Sequence, residues 1–169
     1  FVEERQFLGY RLLRGGKLGV APKSVARLKD RVRWITKRNR SQRFSQFIAD
    51  LNSYLSGWVT YFKLASCKAL LRDLDEWIRR KLRCIRLKQC KRAWPMAKFL
   101  MSCGLAEKRS WLLALSSKGW WHKALTPQAN HAMNLKWFKD KKLITLTERY
   151  ESFNVNGNRR GTEQVCPVV

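Results

Sequence analysis

SQRFSQFIADLNSYLSGWVTYFKLASCKALLRDLDEWIRRKLRCIRLKQCKR, residues 41–92, decides the fold. Phe44, Phe47, Ile48, Leu51, Tyr54, Leu55, Trp58 and Phe62 recur at i, i+3, i+4 and i+7. That is the spacing of one helix face. It predicts a helix over 42–64, capped by Ser41, whose aromatic stripe is core rather than a cofactor site. The opposite face, Ala49, Ser53, Ser56, Gly57 and Thr60, is small and uncharged. Side chains of that size admit another backbone. Two occupants stay open: a neighbouring protein helix, or the shallow minor groove of an A-form duplex with its 2′-hydroxyls.

The end of the stretch turns an apolar helix into a row of cations. A helix is expected over 67–91, N-capped by Ser66, with Leu70, Leu74, Trp77, Ile78 and Ile85 inward. Asp73, Asp75 and Glu76 are expected near its start, where carboxylates suit the positive end of the helix dipole. Arg72, Arg79, Arg83 and Arg86 fall in one row on the other side. From Arg79 to Arg92 there are eight cations and no acid. A merely solvated face mixes signs, so the row is expected to contact phosphate.

Upstream, residues 6–20 read as a β-hairpin turning at Gly15-Gly16. Ser24 is a candidate cap for a first helix over 24–39 with Val25, Leu28, Val32 and Ile35 inward. Arg27, Arg33, Lys37 and Arg38 lie on its outer face, with Trp34 among them, placed to stack on a base or lie against another domain. Downstream, Trp94-Pro95 is expected to end the third helix. Short helices are expected over 95–103, 106–116, 127–139 and 145–153, with Gly104 and Gly119 as stops and a loop after Asn154. Trp120, Trp121 and Trp137 are expected mainly as apolar anchors.

The whole chain has 169 residues, 36 basic against 12 acidic, a net charge of +24. Residues 1–92 carry 24 basic and 7 acidic side chains, and residues 93–169 carry 12 and 5. Such a charge opposes compaction unless phosphate relieves it, so nucleic acid is the partner class expected. An apolar fraction of 45% and eight tryptophans set the chain apart from a disordered basic tail. There is no apolar run of membrane-spanning length and no signal-peptide pattern. The chain opens in mid-pattern on Phe1, as a segment of a longer protein would.

Catalysis is not expected. Metal-assisted polymerisation or cleavage needs clustered carboxylates, and the acids here are scattered. His122 and His131 have no evident base or nucleophile partner. The five cysteines, at 67, 84, 90, 103 and 166, form no C-x-x-C pair and read as reduced thiols. No metal or cofactor is expected in this chain.

Several motifs together resemble a family. FLGY (7–10) resembles the end of the palm in group II intron reverse transcriptases. Residues 25–92, with GWVTYF (57–62) and LDEWIRRKLR (74–83), resemble the maturase-specific domain, or domain X, of those proteins. SKGWWHKA (117–124), NHAMN (130–134) and LITLTERY (143–150) resemble the DNA-binding region that follows it. The resemblance implies a mainly α fold: an N-terminal β-hairpin closing the palm (1–22), a three-helix thumb-like bundle (23–92) and a small helical DNA-binding domain (93–169).

It also implies a parent reverse transcriptase whose catalytic aspartates, and the Mg²⁺ they hold, lie upstream of Phe1. The implied partners are group II intron RNA, whose splicing the domain assists, template–primer duplex, target DNA during retrohoming, and the upstream polymerase domain. The paired C-x-x-C motifs of an H-N-H nuclease are missing, so second-strand cleavage is not expected. The expected nucleic-acid contacts are Arg27, Arg33, Lys37 and Arg38; Arg72, Arg79, Arg80, Arg83, Arg86 and Lys88; and Ser53, Ser56 and Thr60. The expected location is the bacterial cytosol or nucleoid, or an organelle. Two other readings stand beside this one: a freestanding basic helical RNA-binding module without a polymerase, and a reverse transcriptase recruited to a non-intron role such as repair.

Overall fold

The computed structural model of the chain describes residues 6–13, 16–37 and 42–160, without the side chains of residue 6 and of 154–160. The fold is mainly α. Strands β1 (Gln6–Phe7), β2 (Tyr10–Leu12) and β3 (Leu18–Val20) precede helices α1 (Pro22–Ile35), α2 (Phe44–Tyr61) and α3 (Lys68–Gln89). Then come α4 (Ala93–Ser102), α5 (Glu107–Leu115), α6 (Trp120–Lys123), α7 (Pro127–Ala132), α8 (Leu135–Asp140) and α9 (Leu146–Arg160).

Two compact units share these elements. One takes residues 1–30, 52–75 and 144–169, the other 31–51 and 76–143. Helices α1, α2 and α3 each contribute to both, so this spatial division differs in kind from cuts by motif at residues 22 and 92.

In the first unit the strands form an antiparallel sheet in the order β1-β2-β3. The expected hairpin is the β2–β3 pair, with Tyr10 opposite Val20 and Leu12 opposite Leu18. Sequence reading missed the second reversal. Leu8 (φ 51°) and Gly9 (φ 82°) both adopt positive φ between paired Phe7 and Tyr10, the geometry of a two-residue type I′ turn. Glycine is required at the second position: a Cβ there would lie 2.8 Å from Ser24 Oγ and 3.3 Å from the Phe62 ring. Ser24 is therefore not a helix cap. α1 opens two residues earlier, at Pro22, whose fixed φ suits a first turn, and Ser24 Oγ donates to the Gly9 carbonyl at 3.2 Å.

The FLGY turn locks onto the end of GWVTYF. Tyr10 donates its hydroxyl to the Tyr61 carbonyl, and Tyr61 donates to the Leu8 carbonyl at 2.8 Å. The Tyr10 and Phe62 rings sit 5.1 Å apart, within the range of favourable aromatic pairs. Leu28, Leu55, Val59, Phe62, Leu71 and Leu74 form the buried centre of this unit.

The same unit ties down α9 and the residues just before it. Asn52 Oδ1 accepts the Ile144 amide at 2.9 Å, Tyr150 donates to the Ala65 carbonyl at 2.7 Å, and buried Asp75 accepts from Leu146 and Thr147. This corrects the reading of the acids in α3. That helix begins at Lys68 and has no acid in its first turn. Asp75 lies two turns in and caps α9 instead. α9 also continues to Arg160, through the Asn156-Gly157 expected to be loop. Asn and Gly each cost a helix ~1 kcal/mol or less, too little alone to end one.

In the second unit Val32, Ile35, Phe47, Leu51, Ile78, Leu82, Met96, Leu100 and Met133 are fully or almost fully buried. Here α3 is enclosed beyond one stripe: Arg83, Cys84, Ile85 and Leu87 are buried along with Leu82. α3 ends at Gln89, before the expected Trp94-Pro95 boundary. Lys91 adopts φ 59°, the left-handed conformation that commonly closes helices, and Pro95 falls in the first turn of α4. Gly104 (φ 86°) follows α4 as expected, but Gly119 opens α6 rather than closing α5. The single helix expected over 127–139 is two. Asn134 Oδ1 accepts the Trp137 amide at 3.0 Å and starts α8 anew, the local competition through which Asn favours caps.

Cys67, Cys90 and Cys103 are free thiols, and burial pushes Cys67 up to about 11. Cys166 lies outside the described residues, as do Arg38, Asn39 and Ser41.

Candidate nucleic-acid interface

The expected contact residues divide into exposed and committed groups. On α1, Arg27 and Arg33 are exposed, and so is Lys37, two residues past its end. On α2, Ser53 and Thr60 are exposed, Ser56 is half-buried, and a Cβ on Gly57 would meet nothing within 4 Å. The small face of that helix is thus open rather than packed on a helix of its own unit. Thr60 Oγ1 donates to the Ser56 carbonyl at 2.8 Å.

On α3 the cations do not form one open row. Arg72 and Lys88 are exposed, and Arg79, Arg80 and Arg86 are half-buried. Arg83 is 9% exposed, donates from Nε to the Met133 carbonyl at 3.1 Å, and has its guanidinium 5.5 Å from the Phe138 ring centre. Burial, with the charge of Arg79 beside it, pulls its pKa down to about 10. It is still a cation at neutral pH, held inside. Arg80 is also committed: Nε and a terminal nitrogen reach the Trp121 carbonyl at 3.3 and 3.1 Å, and its guanidinium stands 3.9 Å from that ring. Period alone gave Arg83 to the outer face. The helix is enclosed on two sides there, which periodicity of α3 does not report.

Aromatic rings hold several of these charges in place. Arg33 stands 5.8 Å and Lys81 5.5 Å from the Trp77 ring centre, and Lys81 is 5.1 Å from Trp121. With Arg80 this makes a chain of alternating cations and indoles, at distances where cation–π attraction operates. Arg86 lies 4.2 Å from Phe99, and Arg31 4.4 Å from exposed Trp34. Sequence reasoning missed Lys81 and Arg31. Their signals were the Trp77/Lys81 (i, i+4) and Arg31/Trp34 (i, i+3) spacings, which bring side chains together on a helix.

Exposed cations fixed over aromatic planes attract phosphate and accept stacked bases. Residues 25–104 match the model of the maturase-specific domain of group II introns. The chain carries a group II intron maturase-specific domain.

That domain supports a maturase role in splicing. The match runs through α1, α2, α3 and α4, and so includes GWVTYF and both cationic helices. Among curated proteins none matches the chain. Among the described residues, no three His, Cys, Asp or Glu side chains form a metal-binding group, and no helix is long and apolar enough to cross a membrane.

Proposed function

We propose that this chain is the nucleic-acid-gripping part of a group II intron maturase, and that it binds structured intron RNA through the exposed cations of α1 and α3. The observation that carries the reading is the exposure of Arg27, Arg33, Lys37, Arg72 and Lys88 within the matched maturase-specific domain. Arg80 and Arg83 serve the interior instead, so their effect on RNA is through positioning of α3. The second part of the chain, after residue 92, extends the grip to target DNA, and a polymerase domain upstream supplies the Mg²⁺ chemistry.

Binding of structured intron RNA at rising salt tests this. Neutralising about six phosphates should cut affinity ~10³-fold between 50 and 200 mM salt. A nearly flat dependence would remove the electrostatic account.

A second reading concerns α2. The open small face at Ser53, Gly57 and Thr60 favours close approach by the minor groove of an A-form or hybrid duplex, as a thumb gripping template–primer requires. No charge there repels or fixes the backbone, so this face contributes shape, and the cations contribute affinity.

A further inference from the structure

A recess of about 730 Å³ opens between the start of α2, the end of α3, α4 and α8. Phe44, Phe99 and Trp137 line it, with Trp137 5.5 Å from Phe44 and 6.2 Å from Phe99 between ring centres. Arg43, Arg86 and Lys141 line it too, and no carboxylate does. All three rings are half-buried, so each keeps part of its surface toward the recess. Arg43 and Lys141 are exposed, whereas Arg86 is half-buried against Phe99.

Three properties narrow the occupant. The volume lies in the range of small-ligand sites, enough for one nucleotide and too small for a folded element. The lining is triply cationic without a counter-charge, which favours an anion. Burial also keeps the Cys103 thiol in the wall above its usual pKa, so it adds no negative charge at neutral pH. Aromatic rings beside cations are the combination that takes an unstacked base and its phosphate together. Gln89, also in the lining, is held by donating from Nε2 to the Gln42 carbonyl at 3.0 Å.

We propose that this recess takes one unstacked nucleotide of single-stranded RNA, its base among Phe44, Phe99 and Trp137 and its phosphate at Arg43 and Lys141. The inference deepens the RNA-binding reading and rests on it. It adds a site that reads a flipped-out residue of a loop or bulge, where the exposed cations grip backbone.

The test compares an oligouridylate octamer with its fully abasic counterpart, which has the same charge and length. The full chain should bind the octamer roughly 5- to 100-fold more tightly, the range given by base–aromatic stacking. Phe44→Leu and Phe99→Leu each keep an apolar side chain in place while removing a ring. Either variant, once circular dichroism shows it folded, should bring that ratio toward one and leave abasic binding within about twofold. The inference is overturned if the wild-type ratio is one, or if both folded variants keep the wild-type ratio. In the latter case the recess belongs to a protein segment or to no partner. Structured RNA bound with normal salt dependence in those cases leaves the proposed function standing. Loss of all RNA binding by the wild type sinks both.

Discussion

Asp75 caps a helix to which it is not adjacent in sequence: its carboxylate accepts the Thr147 amide at 3.0 Å and the Thr147 hydroxyl at 2.8 Å. The Leu146 amide adds a third bond at 2.9 Å. These two amides open α9, where backbone N–H groups lack helical partners and the dipole favours a negative charge. One buried carboxylate thereby joins the middle of α3 to the start of the last helix, inside a single unit.

Asp75→Ala should therefore be among the most destabilising single changes in the first unit. It strands two amides and a hydroxyl, and hydrogen bonds to charged groups contribute about 1.5–3 kcal/mol each. The expected loss is ~3 kcal/mol in urea unfolding, with Asp75→Asn intermediate. A loss below about 0.5 kcal/mol, the size of an ordinary surface change, would show that Asp75 does not hold α9.

Two glycines should respond in opposite directions to alanine. Gly9→Ala places a Cβ against Ser24 Oγ at a positive φ and is expected to cost about 2 kcal/mol or more. Gly57→Ala lies inside α2 with open space around it, so stability should rise by roughly 0.5–1 kcal/mol. Thermal unfolding of the pair checks the FLGY turn and the openness of the α2 face together.

The cations of α3 should separate into two kinds. Arg72→Ala should weaken RNA binding alike across unrelated sequences, lower the salt slope by about one unit, and leave stability within ~0.5 kcal/mol. Arg83→Ala should cost ~2–4 kcal/mol, because it empties a buried site and strands the Met133 carbonyl. Arg83→Met, which fills the space but still leaves the Met133 carbonyl without its donor, should cost less, about 1–2 kcal/mol. Equal losses of RNA affinity for Arg72→Ala and Arg83→Met would contradict this division.

Ser53→Trp tests the groove reading. The site is exposed on α2, so the variant should fold. Affinity for an RNA–DNA duplex should drop about tenfold or more, a clash of ~1.4 kcal/mol, while single-stranded RNA binds as before. Unchanged duplex binding would make the small face idle surface.

Lys123 gives the pH dependence. Its side chain is buried and donates from Nζ to the Ala114 carbonyl at 3.3 Å, and burial lowers its pKa from 10.5. The unfolded chain then binds the proton more tightly than the folded one, so stability rises with pH between the folded pKa and 10.5. The penalty of burying the charge is fully present below that window. Urea unfolding of wild type and Lys123→Met at pH 7.5 and 10.5 should show the wild type gaining relative to the variant. A constant difference between the two would mean the charge costs the same folded and unfolded.

Local chemistry wrote much of this protein into its sequence. Phe47, Ile48, Leu51, Leu55 and Phe62 of the α2 stripe are core, with Tyr54 and Trp58 half-buried beside them, because burying a face every 3.6 residues needs no knowledge of the partner. The maturase-like motifs in α2 and α3 were legible for the same reason, and so was the excess of cations. What those cations do was not. Arg72 and Arg83 share one residue type on one helix, yet one is exposed and the other buried over Phe138, since α3 is enclosed on two sides only past its midpoint. Asp75 was read as serving its own helix, and its partner at Thr147 is distant in sequence. Asn134 broke a helix that apolar period would have continued. The recess at Phe44, Phe99 and Trp137 draws on three separated segments, none of which signals a site alone. Sequence fixes what one turn of chain can decide by itself. Enclosure, long-range capping and convergence need the other segments in place, and only the tertiary structure supplies them.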